Sequence, residues 1–170
     1  MKQKAIICDI DGVLLDTSKV FEQIEDFYLT GNTKWKYFNR HANDNDVPCD
    51  IRIMRILEWF VDNGYKIIFL TARSEEIYRQ TRAKIQYEQA LYANKPFDFL
   101  LIMRPTNVYA PADEVKYSAL LEIKKQYNIF CAIDDDADNC DMFANNGILT
   151  LQVKKDIQNK KEMGVLQCLN

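Results

Sequence analysis

The 170-residue sequence holds a single histidine, His41. That excludes mechanisms built on a pair of imidazoles and argues against a histidine-rich zinc centre. The five cysteines, Cys8, Cys49, Cys131, Cys140 and Cys168, are odd in number, and none stands in a CxxC pair. A disulfide framework is therefore not expected, and free thiols of a reducing compartment fit better. With five glycines and four prolines, low-complexity linkers are absent. Positive charge is not in surplus, since the formal net charge is −3. Bulk attraction to nucleic acid is thereby disfavoured, although a local basic groove stays open. No apolar run approaches the ~18 residues of a membrane span. The N-terminal MKQKAIICDIDG meets acidic residues too early for a signal peptide. A cytoplasmic protein without a membrane partner is the expectation.

What is present suits one soluble domain. A hydrophobic share of 48% over 170 residues is enough to bury a core without disulfide or metal staples. Short apolar runs alternate with amphipathic stretches. Ala5–Cys8, Lys66–Leu70, Phe99–Met103, Ile129–Ile133 and Ile148–Val153 read as strands. Continuous apolar strands are buried on both faces, the habit of a parallel sheet covered by helices. Between them, Ile53, Ile56, Leu57 and Phe60 repeat at helical spacing, with Gly64 at a C-cap position. Residues 75–92, 113–127 and 137–146 predict three more helices, the first capped by Ser74. This order implies a doubly wound α/β domain with its loops and ligands along one sheet edge. The expected organisation is a domain over residues 1–153, an insertion at 17–49 that breaks the alternation, and a polar tail, 154–170.

Carboxylates collect at the predicted strand ends. The first strand runs into Asp9-Ile10-Asp11-Gly12, and the fourth into Asp134-Asp135-Asp136 with Asp138 close behind. Acids converging on one edge repel unless a cation lies among them, and an all-oxygen site suits Mg²⁺. Taken alone, each cluster is also what a turn or a helix N-cap looks like. The second strand adds Thr71 and Arg73, and Lys116 follows the third. Acids, a metal, a hydroxyl and two cations together are what binding and attacking a phosphate requires.

With these residues in view, the chain resembles the haloacid dehalogenase superfamily of phosphotransferases. Asp9-Ile10-Asp11-Gly12-Val13-Leu14 resembles the first motif, DxDGxL. Thr71 resembles the second, Lys116 the third, and Asp134-Asp135 the acidic fourth. A closer resemblance is to the 3′-phosphatase domains of phage polynucleotide kinase/phosphatases. It rests on Gly64-Tyr65 through Thr71-Ala72-Arg73, on Val115-Lys116 and on Cys131-Ala132-Ile133-Asp134-Asp135. Ala72 replaces the usual glycine, and Asp136 stands where an arginine is common. No GxxxxGK[ST] loop is present, so a kinase half is missing from this sequence. The DGVLLD stretch also resembles 5′(3′)-deoxyribonucleotidases.

The resemblance implies a Rossmann-like fold and covalent phosphatase chemistry. Asp9 is then the nucleophile and Asp11 the general acid and base. Thr71 and Lys116 hold the phosphoryl oxygens. Mg²⁺ is held by Asp9, the Asp11 backbone carbonyl and Asp134, with Asp135 or Asp138 in support. Arg73 is expected to bind substrate phosphate, and Arg40 could meet another. Trp35, Tyr37 and Phe38 in the insertion either stack a base or simply pack the insertion onto the sheet. The expected substrate is a phosphorylated nucleic-acid end, with a separate kinase or ligase as a possible partner. A nucleotide or a small phosphorylated metabolite is the alternative substrate. A silent phosphate- or partner-binding module is a third reading, disfavoured because both Asp9 and Asp11 are present.

Overall fold

The computed structural model describes residues 2–154. Five strands form one parallel sheet in the order β3-β2-β1-β4-β5. They are β1 (Gln3–Cys8), β2 (Lys66–Ser74), β3 (Phe99–Arg104), β4 (Tyr127–Asp134) and β5 (Leu149–Gln152). Six α-helices lie between them: α1 (Ser18–Asp26), α2 (Gly31–His41), α3 (Ile51–Asp62), α4 (Tyr78–Tyr92), α5 (Ala112–Gln126) and α6 (Ala137–Asn145). Alternation along each strand divides the core in two. Ile6, Cys8, Ile67, Phe69, Cys131 and Ile133 face α3, α4 and the insertion, joining Met54, Leu57 and Ile85. Ala5, Ile7, Ile68, Leu70 and Ala132 face α5 and α6 through Leu120, Ile123 and Phe143. The sheet is doubly wound, as expected. After β3 the chain crosses to the far side of β1, so the order reverses between β1 and β4. A ligand crevice belongs at that reversal, beyond the carboxyl ends of the strands.

Two elements depart from the sequence reading. β2 is longer than its apolar run and carries Thr71 and Arg73 inside it. Its pairing with β3 shifts between Leu70 and Ser74, so the strand continues past the regular sheet edge. The helix expected from residue 75 begins instead as a 3₁₀ turn over Glu75–Ile77 before α4, with the Ser74 hydroxyl accepting the Glu76 N–H. Tight 3₁₀ starts are common at helix N-termini.

Residues 17–49 fold as α1 and α2, packed against each other and into the main core. Val20, Ile24, Phe38, Ala42 and Val47 are all buried there. The neck of this excursion is closed by backbone hydrogen bonds. Asp16 N–H donates to the Pro48 carbonyl, and Asp50 N–H donates to the Leu14 carbonyl. Asp50 then caps α3, its side chain accepting the Arg52 N–H. The expected polar tail lies, apart from Lys154, outside the described residues. Among those residues, no helix is long and apolar enough to cross a membrane.

Glu58 of α3 is buried and braces the far end of α4. Its Oε1 accepts the Asn94 N–H at 2.5 Å, and its Oε2 accepts from Arg55 at 2.7 Å. Burial raises its carboxyl, but Arg55 and the two backbone amides of Lys95 and Asn94 outweigh that and hold it below the ordinary range. A depressed folded pKa means stability present above the unfolded pKa and lost as pH falls through the folded one. Glu58→Gln is expected to cost about 1–3 kcal/mol near neutral pH. Urea denaturation at pH 7 and pH 4 should show the deficit shrinking in acid.

Candidate active site

β1 ends at Cys8, and the chain turns at once. The Asp9 N–H donates to the Ile133 carbonyl of β4 at 2.9 Å, which fixes Asp9 over the β1–β4 reversal. The Ile10 N–H donates to the Asp9 carboxylate at 2.7 Å, holding the side chain in one direction. Gly12 completes the turn at φ +74, a left-handed conformation that suits glycine. A Cβ placed there would meet the Asp135 carboxylate at 2.0 Å. Gly12 thus serves both the turn and the close approach of Asp135. Gly12→Ala is expected to push Asp135 outward and weaken the affinity of the acidic set for a small divalent cation at least about 10-fold. Calorimetric titration of the protein with Mg²⁺ measures this.

Asp9 and Asp134 share one buried ammonium. Lys116 Nζ lies 2.9 Å from Asp9 and 2.7 Å from Asp134. Asp134 is further braced by the Asp136 N–H and by Asn139 Nδ2, at 3.2 and 3.0 Å. Asp9, Asp134 and Asp135 each offer a carboxylate oxygen, and these atoms lie within 4.8 Å of one another. A compact set of hard oxygens fits a small divalent cation. Burial drives the Asp9 carboxyl well above its ordinary range, the charges of Asp134 and Asp11 push it further, and Lys116 pulls the other way. Burial disfavours the Lys116 ammonium, yet Asp9 and Asp134 more than compensate and keep it charged. Asp9, Asp134 and Asp135 with Lys116 set three carboxyl groups around one ammonium, a unit short of positive charge.

Asp11 sits at the mouth, gripped by Arg73. Arg73 Nε donates to one Asp11 oxygen at 2.9 Å and Nη2 to the other at 2.7 Å. The remaining guanidinium protons reach the insertion, donating to Asn43 Oδ1 at 2.7 Å and the Ala42 carbonyl at 3.2 Å. Arg73 is buried, with the Phe38 ring beside it at 5.7 Å. Its donors are spent on Asp11, on the insertion and on Thr81 of α4. Lysine cannot reproduce this planar fork. Arg73→Lys is expected to lower kcat about 100-fold, with KM moved less, in steady-state assays.

These groups line a cavity of about 900 Å³, together with Thr71, Arg104 and the loop that carries Tyr109. Its other wall is α2, which presents Asn32, Trp35, Lys36 and Asn39 at helical spacing. Of the sequence-predicted residues, Asp9, Asp11, Thr71, Arg73, Lys116 and Asp135 line this cavity, and Asp134 stands behind them. Arg40 does not line it and faces a second hollow. Asp138 is exposed in the first turn of α6 and stands apart from the acidic set, whereas Asp135 joins it. Phe38 is buried and Tyr37 is packed against Phe27 and His41, while Trp35, 53% exposed, faces the cavity. Sequence reasoning missed Asn139, Lys36 and Arg104. The signal for Asn139 was its place three residues after Asp136, the position an N-capping acid serves.

Fold and site together define a phosphatase of the haloacid dehalogenase type. Among solved structures, the class C acid phosphatase from Bacillus anthracis with tungstate bound has the same fold. It is 13% identical with a TM-score of 0.62, over 92% of this chain and 68% of that one. A chain of the Pnkp1/Rnl/Hen1 complex aligns at 23% identity and TM-score 0.69, over 89% of this chain and 45% of that chain. The Pnkp1/Rnl/Hen1 RNA repair complex gives 25% identity and the same TM-score, over 89% of this chain and 42% of that chain. The chain thus spans less than half the length of those relatives. No curated protein sequence matches it. The family described as the polynucleotide kinase PNKP phosphatase domain matches residues 3–156, and the chain belongs to that family.

Proposed function

We propose that this phosphatase removes 3′-phosphates from nucleic-acid ends, depends on Mg²⁺ and works through a phosphorylated Asp9. One observation carries the chemistry: Asp9 shares Lys116 with Asp134 at the reversal of the sheet, while Asp11 is held two residues away by Arg73. In the first step an Asp9 oxygen bonds to phosphorus as the bond to the 3′-oxygen breaks. Asp11 gives that oxygen a proton. In the second step Asp11 takes a proton from water, the water oxygen bonds to phosphorus, and the Asp9–phosphorus bond breaks. The Arg73 clamp occupies two of the roughly four lone-pair sites of Asp11, so a proton can still be carried while the group is held. The Thr71 hydroxyl and the Lys116 ammonium face the non-bridging oxygens, where charge shifts in the transition state. Mg²⁺ held by Asp9, the Asp11 backbone carbonyl, Asp134 and Asp135 would supply the positive charge that this acid-rich unit lacks.

The nucleic-acid substrate is supported by the family and by the cavity itself. At about 900 Å³, with Trp35 exposed on its wall and Lys36 beside it, the cavity is larger than a phosphate needs. The product end, a 3′-hydroxyl, is what a strand-joining reaction consumes, so a separate ligase is the fitting partner, with a kinase supplying the 5′-phosphate that joining also needs. The test is phosphate release with Mg²⁺ from a short DNA or RNA bearing a 3′-phosphate, against nucleoside 3′- and 5′-monophosphates. The oligonucleotide is expected to be preferred, and EDTA to stop turnover until Mg²⁺ is restored. Preference for mononucleotides would make the protein a nucleotidase. Activity on neither would overturn the nucleic-acid reading and leave small phosphorylated metabolites.

A further inference from the structure

We propose that the second hollow, beside the catalytic cavity, is a subsite for the strand upstream of the 3′-phosphate. This deepens the function proposed above and rests on it. The hollow has a volume of about 650 Å³ and lies between the end of α2 and the start of α4. Asn39 lines both it and the catalytic cavity, so the two are neighbours along one path. A strand whose terminal phosphate reaches Asp9 can continue past Asn39 into it.

The lining suits a nucleotide. Asn39, Asn45 and Gln80 make no side-chain hydrogen bond among the described residues, and each amide offers both donor and acceptor to a base edge. Tyr87 is half exposed and offers a ring on which a base can stack. Lys84 pairs with Glu88 at 2.7 Å, and Asp44 shares a hydrogen bond with the His41 ring at 2.7 Å. Arg40 makes no ion pair among the described residues and is left to meet a phosphodiester.

The floor is built in advance. Lys84 Nζ donates to the Asp44 carbonyl at 3.0 Å, and Asn43 Nδ2 reaches Thr81 at 3.4 Å. Asn43 also accepts from Arg73, the residue that grips Asp11. The hollow and the acid/base group therefore share one scaffold, and a strand bound in the first is registered against the second.

The experiment compares kcat/KM for 3′-phosphorylated chains of one, two, four and eight nucleotides. The wild-type protein is expected to gain at least about 10-fold from one nucleotide to four, from one or two added stacking and phosphate contacts. Arg40→Glu and Tyr87→Ala should each erase most of that ratio, through KM. Substrates cleaved with no length gain, or a gain that survives in both variants, would overturn the subsite while the 3′-phosphatase reading stands. Cleavage at no length would overturn that reading instead, and binding then decides the subsite separately. Fluorescence anisotropy of a labelled 3′-hydroxyl octanucleotide on wild-type and Arg40→Glu protein is the readout. The variant should bind more weakly, with a salt slope smaller by about 0.7. Equal affinity and slope in the two proteins would sink the proposal whatever the activity.

Discussion

Asp9→Asn protein is expected to release phosphate from a 3′-phosphorylated oligonucleotide at least about 10⁴-fold more slowly than wild type. The amide cannot form the acyl phosphate, and nothing else in the site can replace it. Asp11 is held at the mouth by Arg73, and Asp134 is locked by Lys116, Asn139 and the Asp136 N–H. The fold should survive. Asparagine keeps either the Ile10 N–H contact or the Lys116 contact, so it loses about one hydrogen bond, worth ~1 kcal/mol. For a domain of this size that moves Tm by roughly 2–4 °C. Burial already disfavours the charged form of Asp9, which makes the neutral amide easier still to accommodate. Single-turnover assays with calorimetry separate the two effects. Wild-type turnover in this variant would eliminate the covalent route, and wholesale unfolding would eliminate the claim that Asp9 is dispensable to the fold.

The scaffold was readable because it follows local rules. Ala5–Cys8 is continuously apolar because β1 is the central strand and is buried on both faces. The acids that follow it must therefore emerge at the sheet edge. The same logic located Thr71, Lys116 and Asp134. What stayed hidden depends on side chains far apart in sequence. Arg73 and Asp11 are 62 residues apart, and no local pattern tells an arginine aimed at substrate from one aimed at a carboxylate. The choice between Asp135 and Asp138 turned on where α6 begins. Because it starts at Ala137, Asp138 rides on its exposed side, while Asp135 stays on the turn against Gly12. In the insertion, Val20 and Ile24 already have helical spacing. The short α1 and α2 were obscured by the break near Thr30 and Gly31, where the chain reverses. Arg40 was legible as a cation, but its neighbours Gln80 and Tyr87 come from another helix.

Lys116→Met is the change expected to damage both activity and stability. Lys116 is 1% exposed and is the ammonium that two buried carboxylates share. Without it Asp9, Asp134 and Asp135 converge with no counter-charge from that side. Breaking a buried pair in this way costs about 3–5 kcal/mol, or on the order of 10 °C in Tm for a domain of this size. The deficit should depend on pH with a definite sign. A carboxyl whose folded pKa is raised contributes stability below its unfolded pKa and loses it as pH rises through the folded value. Asp9 is already raised in the wild-type protein, and removing Lys116 deletes the group that pulls it down. The deficit should therefore stay level up to about pH 8, where wild-type Asp9 ionises, and widen above it. Mg²⁺ should return much of the lost stability by occupying the acidic set, a linkage effect that grows with its concentration. It should return little activity, because the phosphoryl oxygens still lack the ammonium. Thermal melts across pH, with and without Mg²⁺, test each part. A pH-independent deficit, or one that Mg²⁺ leaves untouched, would mean that Lys116 packs the core rather than balancing its charge.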